Sequence, residues 1–256
     1  MNKKLIVSNW KTNPQTLAEA VEILESADDY VGSLDEKELS LVFCPPFIFA
    51  EEVGKILRTS HLEHQAELGA QDISAYDSAT LTGEISGPML KNLGVRYVIV
   101  GHSERRWKLE ESNEIVNLKL KAVLRNEMVP IVCIGEKVRD GNFKNFIKNQ
   151  VEASLADLSA NEVARCVIVY EPVWAISTTL DARPDTPESA LKSIGVIKEI
   201  LNTKYSILNT YLYGGSVTSR NIRDFLENEG FDGVLVGGAS TNKEEFIKIL
   251  SIAAKI

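Results

Sequence analysis

Short apolar runs recur along the chain, and a longer stretch of mixed polar and apolar residues follows each of them. Runs of this length that are rich in Val, Ile and Leu are typical of buried β-strands. The pattern predicts eight strands, at residues 5–8, 39–44, 67–71, 96–100, 129–134, 166–170, 210–213 and 233–236. The third run is the weakest, because only Leu68, Gly69 and Ala70 form its centre.

The stretches between the runs predict helices, because their apolar residues recur with the 3.6-residue period of one helix face. The predicted faces are Leu17, Ala20, Val21 and Leu24 in residues 16–31, and Ile115, Leu118 and Ala122 after the N-cap candidate Ser112. Thr186-Pro187-Glu188 starts a further helix, since a capping hydroxyl precedes proline at the first helical position and an acid in the first turn. The remaining predicted helices are residues 142–158, 219–228 and 242–254.

Strands that alternate with helices are typical of parallel strands joined by helical crossovers. Two architectures fit this alternation, an open doubly wound sheet and a closed (β/α)8 barrel. The length of 256 residues favours the barrel, which typically takes about 250 residues. No Pro-, Gly- or Ser-rich linker divides the chain. We therefore expect an α/β fold in which residues 1–256 form a single (β/α)8 barrel domain with a parallel eight-stranded core.

Composition narrows the classes of function. The net charge is −8 and no Lys/Arg block is present, which argues against nucleic-acid binding. The first apolar run is too short for a signal peptide, and no segment approaches the roughly 20 apolar residues of a membrane span. Cys44, Cys133 and Cys166 lie apart within apolar stretches, as expected of reduced core residues. These features predict a cytoplasmic protein without a membrane or nucleic-acid partner.

The active site of such a barrel lies at the carboxyl ends of its strands, so the residues directly after each run are candidates. Glu171 ends the sixth run, and Pro172 stops the strand because proline has no amide to donate. Alone, Glu171 fits a catalytic base or a carboxylate that faces water. His102 follows the fourth run and Lys11 the first, although a lone lysine is more often solvated. A base with two such electrophiles is what proton abstraction beside a carbonyl needs.

Two glycine-rich strand ends, Gly214-Gly215-Ser216 and Gly237-Gly238, lack basic side chains. Glycine lets backbone amides approach an anion, and a phosphate site after strands 7 and 8 is common in this barrel. One Gly-Gly pair is more often only a turn, whereas two pairs at adjacent strand ends favour phosphate binding. Arg105-Arg106 fits anion binding and ion pairing with carboxylates equally well. His61 and His64 lie in a polar stretch, so we expect surface residues there and no metal site.

Motifs at the strand ends extend over essentially the whole chain. They are Asn9-Trp10-Lys11, Gly69-Ala70-Gln71, Thr82-Gly83-Glu84, Cys133-Ile134-Gly135-Glu136, and residues 101–106, 170–176, 213–217 and 232–240. In this order they resemble the motifs of the triosephosphate isomerase family, and their joint presence is far more specific than any one of them. The resemblance implies the TIM-barrel fold and the interconversion of dihydroxyacetone phosphate and D-glyceraldehyde 3-phosphate in glycolysis and gluconeogenesis.

The resemblance also implies a role for individual residues. Glu171 would move a proton between two carbons, His102 would polarise the carbonyl, Lys11 and Asn9 would hold the enediolate oxygens, and Glu104 would brace Lys11 and His102. The substrate phosphate would bind to the backbone amides of Ser177, Ser216, Gly237 and Gly238. A lid would begin with Pro172, Val173, Trp174, Ala175 and Ile176. No cofactor or metal is implied, because proton transfer requires no redox group.

The lid departs from the family pattern, which continues Ala-Ile-Gly-Thr-Gly-Lys. Here Ser177 and Thr179 replace the two glycines, Leu180 replaces the lysine, and a few residues are inserted before Thr186. We expect ordinary activity on a small phosphorylated sugar, the triose phosphate, under a longer lid. The alternatives are an isomerase of a four-carbon ketose phosphate and a catalytically silent phosphosugar-binding relative.

The loop at residues 72–82 keeps the family's length but lacks its usual glycine near the tip. In the family this loop inserts into a partner subunit near Lys11 and His102. The resemblance therefore implies a homodimer, with a tetramer left open.

Overall fold

Eight parallel strands close into a barrel in chain order, and the last strand pairs with the first. The computed structural model describes residues 3–34, 39–78, 80–176, 179 and 182–256. The strands are β1 (Lys4–Asn9), β2 (Leu39–Cys44), β3 (Ala66–Ala70), β4 (Tyr97–Val100), β5 (Val129–Ile134), β6 (Val167–Tyr170), β7 (Thr210–Tyr213) and β8 (Gly233–Val236). The predicted (β/α)8 barrel is confirmed, and the open sheet is excluded.

Helices surround the barrel on its outer face. Those of the described residues are α1 (Leu17–Gly32), α2 (Phe47–Leu57), α3 (Gly87–Leu93), α4 (Ser103–Lys108), α5 (Asn113–Arg125), α6 (Phe143–Ser154), α7 (Ala160–Ala164), α8 (Pro187–Tyr205), α9 (Ile222–Leu226) and α10 (Lys243–Ala253). Thr16, Ser112 and Thr186 cap α1, α5 and α8 with side-chain oxygens that accept first-turn amides, as hydroxyl N-caps do. The helices predicted at residues 142–158 and 219–228 are shorter in the structure.

The face predicted for α5 is correct at Ala122, which is buried, but wrong at Ile115 and Leu118, which are each 37% exposed. The helix instead turns Asn117 and Lys119 inward. Asn117 Nδ2 donates to the carbonyl oxygens of two residues at the end of α6 and just beyond it. Lys119 Nζ lies 2.7 Å from both carboxylate oxygens of Asp72. Polar groups occupy the buried face because their partners satisfy them there.

The face predicted for α1 is wrong in part. Leu17 is 44% exposed, and Val21 is only half-buried. The buried stripe consists of Ala20, Ile23, Leu24, Ala27 and Val31. The helix keeps its predicted period, but the stripe is rotated towards Ile23 and Ala27.

Alternation along the strands sorts side chains into two cores. Leu5 and Val7 of β1 belong to a cluster inside the barrel, whereas Ile6 belongs to the cluster between barrel and helices. The interior cluster fills the barrel below the strand ends, so the barrel is a packed core and not a pore. The same alternation brings Asn9 and Glu171 to the interior face, directly above this filling.

Residues singled out elsewhere in the sequence lie where the pattern predicts. Cys44, Cys133 and Cys166 are buried and unpaired. Burial raises the pKa of Cys166 to about 12 and raises those of Cys44 and Cys133 as well, so the thiols stay protonated. His61 and His64 are exposed. Among the described helices, none has the length and apolar character needed to cross a membrane.

Candidate active site

A cavity of about 320 Å³ opens at the carboxyl end of the barrel. Its wall includes Asn9, Lys11, His102, Glu171, Ile176, Gly214, Gly215, Ser216, Gly237 and Gly238. Residues from the ends of five strands thus meet at one place. Ser177 and Leu180, to which the sequence also pointed, lie outside the described residues.

Glu171 is only 2% exposed, so its carboxylate does not face bulk water. The hydroxyl of Ser103 donates to Glu171 Oε1 over 2.6 Å, and the Ser103 amide donates to Oε2 over 2.9 Å. His102 Nε2 lies 3.1 Å from the same Oε1. A buried carboxylate beside an imidazole in a cavity is typical of a functional site.

Ser103 was missed by the sequence analysis, which assigned it no role. It is the first residue of α4, where backbone amides have no partner within the helix. Its amide and hydroxyl therefore both remain free to bind the Glu171 carboxylate. A hydroxyl residue at a helix start, directly after a strand-end histidine, was the available signal.

His102 caps α4 with its ring. Nδ1 accepts a hydrogen bond of 3.2 Å from the backbone amide of Glu104. Because an amide N–H can only donate, Nδ1 carries a lone pair, and this hydrogen bond assigns the ring proton to Nε2. The ring is therefore neutral and presents an N–H donor to the cavity beside Glu171.

Lys11 is held in a left-handed backbone conformation with φ 56°. Asn9 Oδ1 accepts its amide over 3.1 Å, and Gln71 Nε2 donates to its carbonyl over 2.9 Å. Gln71 is a second residue whose role was missed. Lys11 Nζ forms an ion pair of 2.9 Å with Glu104 Oε1. Burial acts to raise the pKa of Glu104, but the hydrogen bond and charge of Lys11 outweigh it and lower that pKa.

Close packing requires glycine in the first of the two glycine pairs but not in the second. A Cβ on Gly214 would lie 2.4 Å from Val169 Cγ1, and one on Gly215 would lie 2.2 Å from the Tyr213 hydroxyl. Close packing therefore explains the first pair. A Cβ on Gly237 would lie 3.4 Å from Lys11 Cε. The second pair therefore borders the lysine.

The predicted lid residues 172–176 form a short 3₁₀ turn at Val173–Ala175 after β6. The Trp174 indole N–H donates to Glu136 Oε1 over 3.1 Å. The Ser216 hydroxyl donates to the Ala175 carbonyl over 2.9 Å. The start of the lid is thus tied to the loops that follow β5 and β7.

Arg105 and Arg106 contact other parts of the protein and do not belong to the cavity wall. Arg105 Nη2 lies 2.9 Å from Asp72 Oδ2 and 2.7 Å from Glu111 Oε1. Arg106 is buried and donates to the carbonyl of Gly101 over 2.6 Å. Of the two roles left open for this pair, ion pairing with carboxylates is the one that Arg105 fulfils.

Fold and cavity together define a class, the (β/α)8-barrel enzymes whose cavity at the carboxyl edge of the barrel contains a carboxylate beside an imidazole. A family model described as triosephosphate isomerase matches residues 4–253. The chain belongs to the triosephosphate isomerase family.

Curated relatives support this membership over nearly the whole chain. The triosephosphate isomerase of Dictyoglomus turgidum is 38% identical over 254 residues, which cover 98% of this chain and 99% of that protein. That of Endomicrobium trichonymphae is 39% identical over 253 residues, with 98% of each chain covered. That of Streptomyces coelicolor is 39% identical over 250 residues, with 96% of each chain covered. The chain therefore matches these relatives over nearly their full length.

Proposed function

We propose that the protein is an intramolecular aldose–ketose isomerase that interconverts dihydroxyacetone phosphate and D-glyceraldehyde 3-phosphate. One observation carries the proposal: the buried Glu171 carboxylate lies 3.1 Å from His102 Nε2, in a cavity that Lys11 also lines. Membership of the family supports the substrate class, since the relatives carry the name of that reaction.

Glu171 acts as the base. It takes a proton from the carbon beside the carbonyl, and the C–H electron pair becomes the double bond of an enediolate while the carbonyl oxygen gains negative charge. His102 then gives its Nε2 proton to this oxygen and takes the hydroxyl proton from the oxygen on the carbon that was deprotonated. Glu171 returns its proton to the former carbonyl carbon, and the second oxygen becomes the carbonyl of the product. This requires a carboxylate shielded from water, and the burial of Glu171 supports it.

His102, Lys11 and Asn9 stabilise the negative charge on the oxygens. His102 offers a neutral N–H donor, and Lys11 offers an ammonium fixed by Glu104. Donors that are already oriented need no rearrangement during the reaction, and removal of one typically costs about 10²–10³ in turnover. Glu104 acts on Lys11 and not on the substrate.

The phosphate binds to the backbone amides of Ser216, Gly237, Gly238 and Ser177. The first three of these residues border the cavity. The second glycine pair also lies next to the ammonium-bearing side chain of Lys11, which favours an anion there. Ser177 joins this set on the family resemblance alone.

A paired-substrate assay tests the proposed function. The purified protein is measured on dihydroxyacetone phosphate and on a four-carbon ketose phosphate under the same conditions. We expect a higher kcat/KM for the triose phosphate. A strong preference for the larger sugar would overturn the substrate assignment. Calorimetric binding of the triose phosphate without turnover would overturn the assignment as an enzyme.

The proposal includes one domain spanning residues 1–256, a cytoplasmic location and a homodimer. Exposed apolar side chains on α2, the loop after β3 and α3 support a subunit interface, namely Ile48, Tyr76, Leu81 and Met89. Light scattering of the active protein should give the mass of at least two chains. A fully active monomer at assay concentration would contradict the dimer.

A further inference from the structure

Arg139, in the loop after β5, joins that loop to the start of α8. Its Nη1 donates to Glu136 Oε1 over 2.8 Å and to the hydroxyl of Ser193 in α8. Its Nη2 donates to the Ser189 carbonyl over 3.1 Å. The guanidinium group thus holds the first turns of α8 against the loop.

Glu136 in turn contacts the lid. Its Oε1 accepts the hydroxyl of Tyr170 over 2.9 Å and the indole N–H of Trp174 over 3.1 Å. Its backbone carbonyl accepts the amide of Val173 over 3.1 Å. A change in the contact between Arg139 and Glu136 therefore also affects the positions of Val173 and Trp174 at the start of the lid.

A second buried carboxylate, Asp185, lies directly before Thr186, the N-cap of α8. Asp185 Oδ1 accepts the amide of Thr186 over 2.9 Å. Asp185 Oδ2 is buried without a hydrogen-bond partner among the described residues, and so is Glu136 Oε2. Asp185 belongs to residues 177–185, where the sequence departs from the family's lid, so the family motif does not account for it.

The charges around Asp185 do not balance when it is ionised. The groups that face it are Glu136 and Arg139 after β5, Tyr170 at the end of β6 and Tyr213 at the end of β7. Burial raises the pKa of both tyrosines. The Glu136 charge and, to a smaller extent, the Asp185 charge raise that of Tyr170 further, and the Asp185 charge raises that of Tyr213, so both remain neutral. Arg139 hydrogen-bonds Glu136 and forms no ion pair with Asp185, so it directly neutralises only one of the two carboxylates.

Protonation of Asp185 would restore the balance. Burial raises its pKa and Glu136 raises it further, while Ser189, the Thr186 amide and Arg139 act in the opposite direction without cancelling the rise. When Asp185 is neutral, Arg139 stays on Glu136. When it is ionised, its charge attracts Arg139 and repels Glu136, which weakens the hold on Glu136.

We propose that Asp185 is a positioning residue. Its protonation state determines the strength of the contact between Arg139 and Glu136, and thereby the position of Trp174 and of the start of the lid. The inference rests on the proposed function, since the position of the lid matters to turnover only if the site is catalytic. The first test below needs no turnover, so the two can fail separately.

The fluorescence of Trp174 reports the position of the lid. The chain holds three tryptophans, so the spectrum of each protein minus that of its Trp174→Phe counterpart isolates Trp174. In the wild type this difference should titrate with a midpoint above the ordinary aspartate value of about 3.9. Asp185→Asn should abolish the titration, and Asp185→Glu should retain one with a displaced midpoint.

The controls keep this test decisive. Asp157→Asn removes a carboxylate that is 89% exposed, and it should leave the Trp174 titration unchanged. Circular dichroism verifies the fold of each variant, and Asp185→Ser replaces Asp185→Asn if the latter does not fold. A titration in the folded variant with the wild-type midpoint and amplitude would overturn the proposal.

A kinetic readout separates positioning from a structural role. The ratio of kcat/KM between the wild type and Asp185→Asn is measured against pH, which cancels ionisations that the two proteins share. The ratio should follow a single titration with the midpoint found by fluorescence. A ratio independent of pH would overturn the link to the reaction, because a purely structural loss lowers activity equally at every pH.

Discussion

Replacement of Gly135 by alanine tests whether Glu171 depends on the contact between β5 and β6 for its position. The Glu171 amide donates to the Ile134 carbonyl over 2.8 Å, and the Val173 amide donates to the Glu136 carbonyl over 3.1 Å, on either side of Gly135. A Cβ on Gly135 would lie 1.9 Å from the Glu171 carbonyl oxygen. The obstacle is backbone, so no side chain can rotate away and the end of β6 must shift.

The displacement of the strand ends determines how much stability and turnover we expect the variant to lose. An ordinary contact requires at least 3.4 Å, so the two strand ends must separate by about 1.5 Å. Overpacking of this kind costs about 1–3 kcal/mol of unfolding free energy, and we expect the upper end because backbone is displaced. A misplacement of about 1 Å at a catalytic group lowers turnover about 10²-fold.

Urea unfolding and steady-state kinetics on the triose phosphate measure both effects. Gly195→Ala is the matched control, since no atom lies within 4 Å of its added Cβ in the middle of α8. The control should gain about 0.5–1 kcal/mol in stability through helix propensity, with unchanged turnover. A Gly135→Ala protein as stable and as active as the wild type would refute the argument.

Two further predictions concern charged groups. Lys119→Met should lower the free energy of unfolding in urea by about 3–5 kcal/mol, because it leaves Asp72 and Glu111 with one buried cation fewer. The control Lys121→Met on the same helix should change that free energy little. Equal losses in the two variants would contradict this prediction. Since Lys11 lowers the pKa of Glu104, the wild type should be stabilised relative to Glu104→Gln above about pH 4.3. That difference should fade as pH falls through the lowered pKa, and a difference that grows towards acid would contradict it.

Strands were predictable from the sequence because each is a short, almost wholly buried run. The bounds of β2, β5, β7 and β8 coincide with the predicted ones, and even the weak third run forms β3. The burial of a parallel strand on both faces removes polar residues from it, so the signal is local. Strand-end candidates such as Glu171 and His102 could then be inferred, because the topology brings all carboxyl ends to one edge.

Features that depend on distant partners could not be predicted. Periodicity alone places Ile115 inward in α5, but the structure buries Lys119 there because Asp72, far away in the chain, neutralises it. The hydrogen bonds of Ser103 to Glu171, and those of Arg139 to the start of α8, likewise form only when separate segments meet. Such pairings are set by tertiary structure and leave no local pattern.

Hydrogen exchange at the substrate carbon tests the role of Glu171 most directly. The protein is incubated with dihydroxyacetone phosphate in D₂O, and NMR follows the replacement of the carbon-bound hydrogen by deuterium. The wild type should catalyse this exchange together with the formation of the aldose. Glu171→Gln, shown by circular dichroism to be folded, should exchange at least about 10²–10⁴-fold more slowly, the usual contribution of a positioned base. Exchange at the wild-type rate in that variant would contradict the assignment of Glu171 as the base.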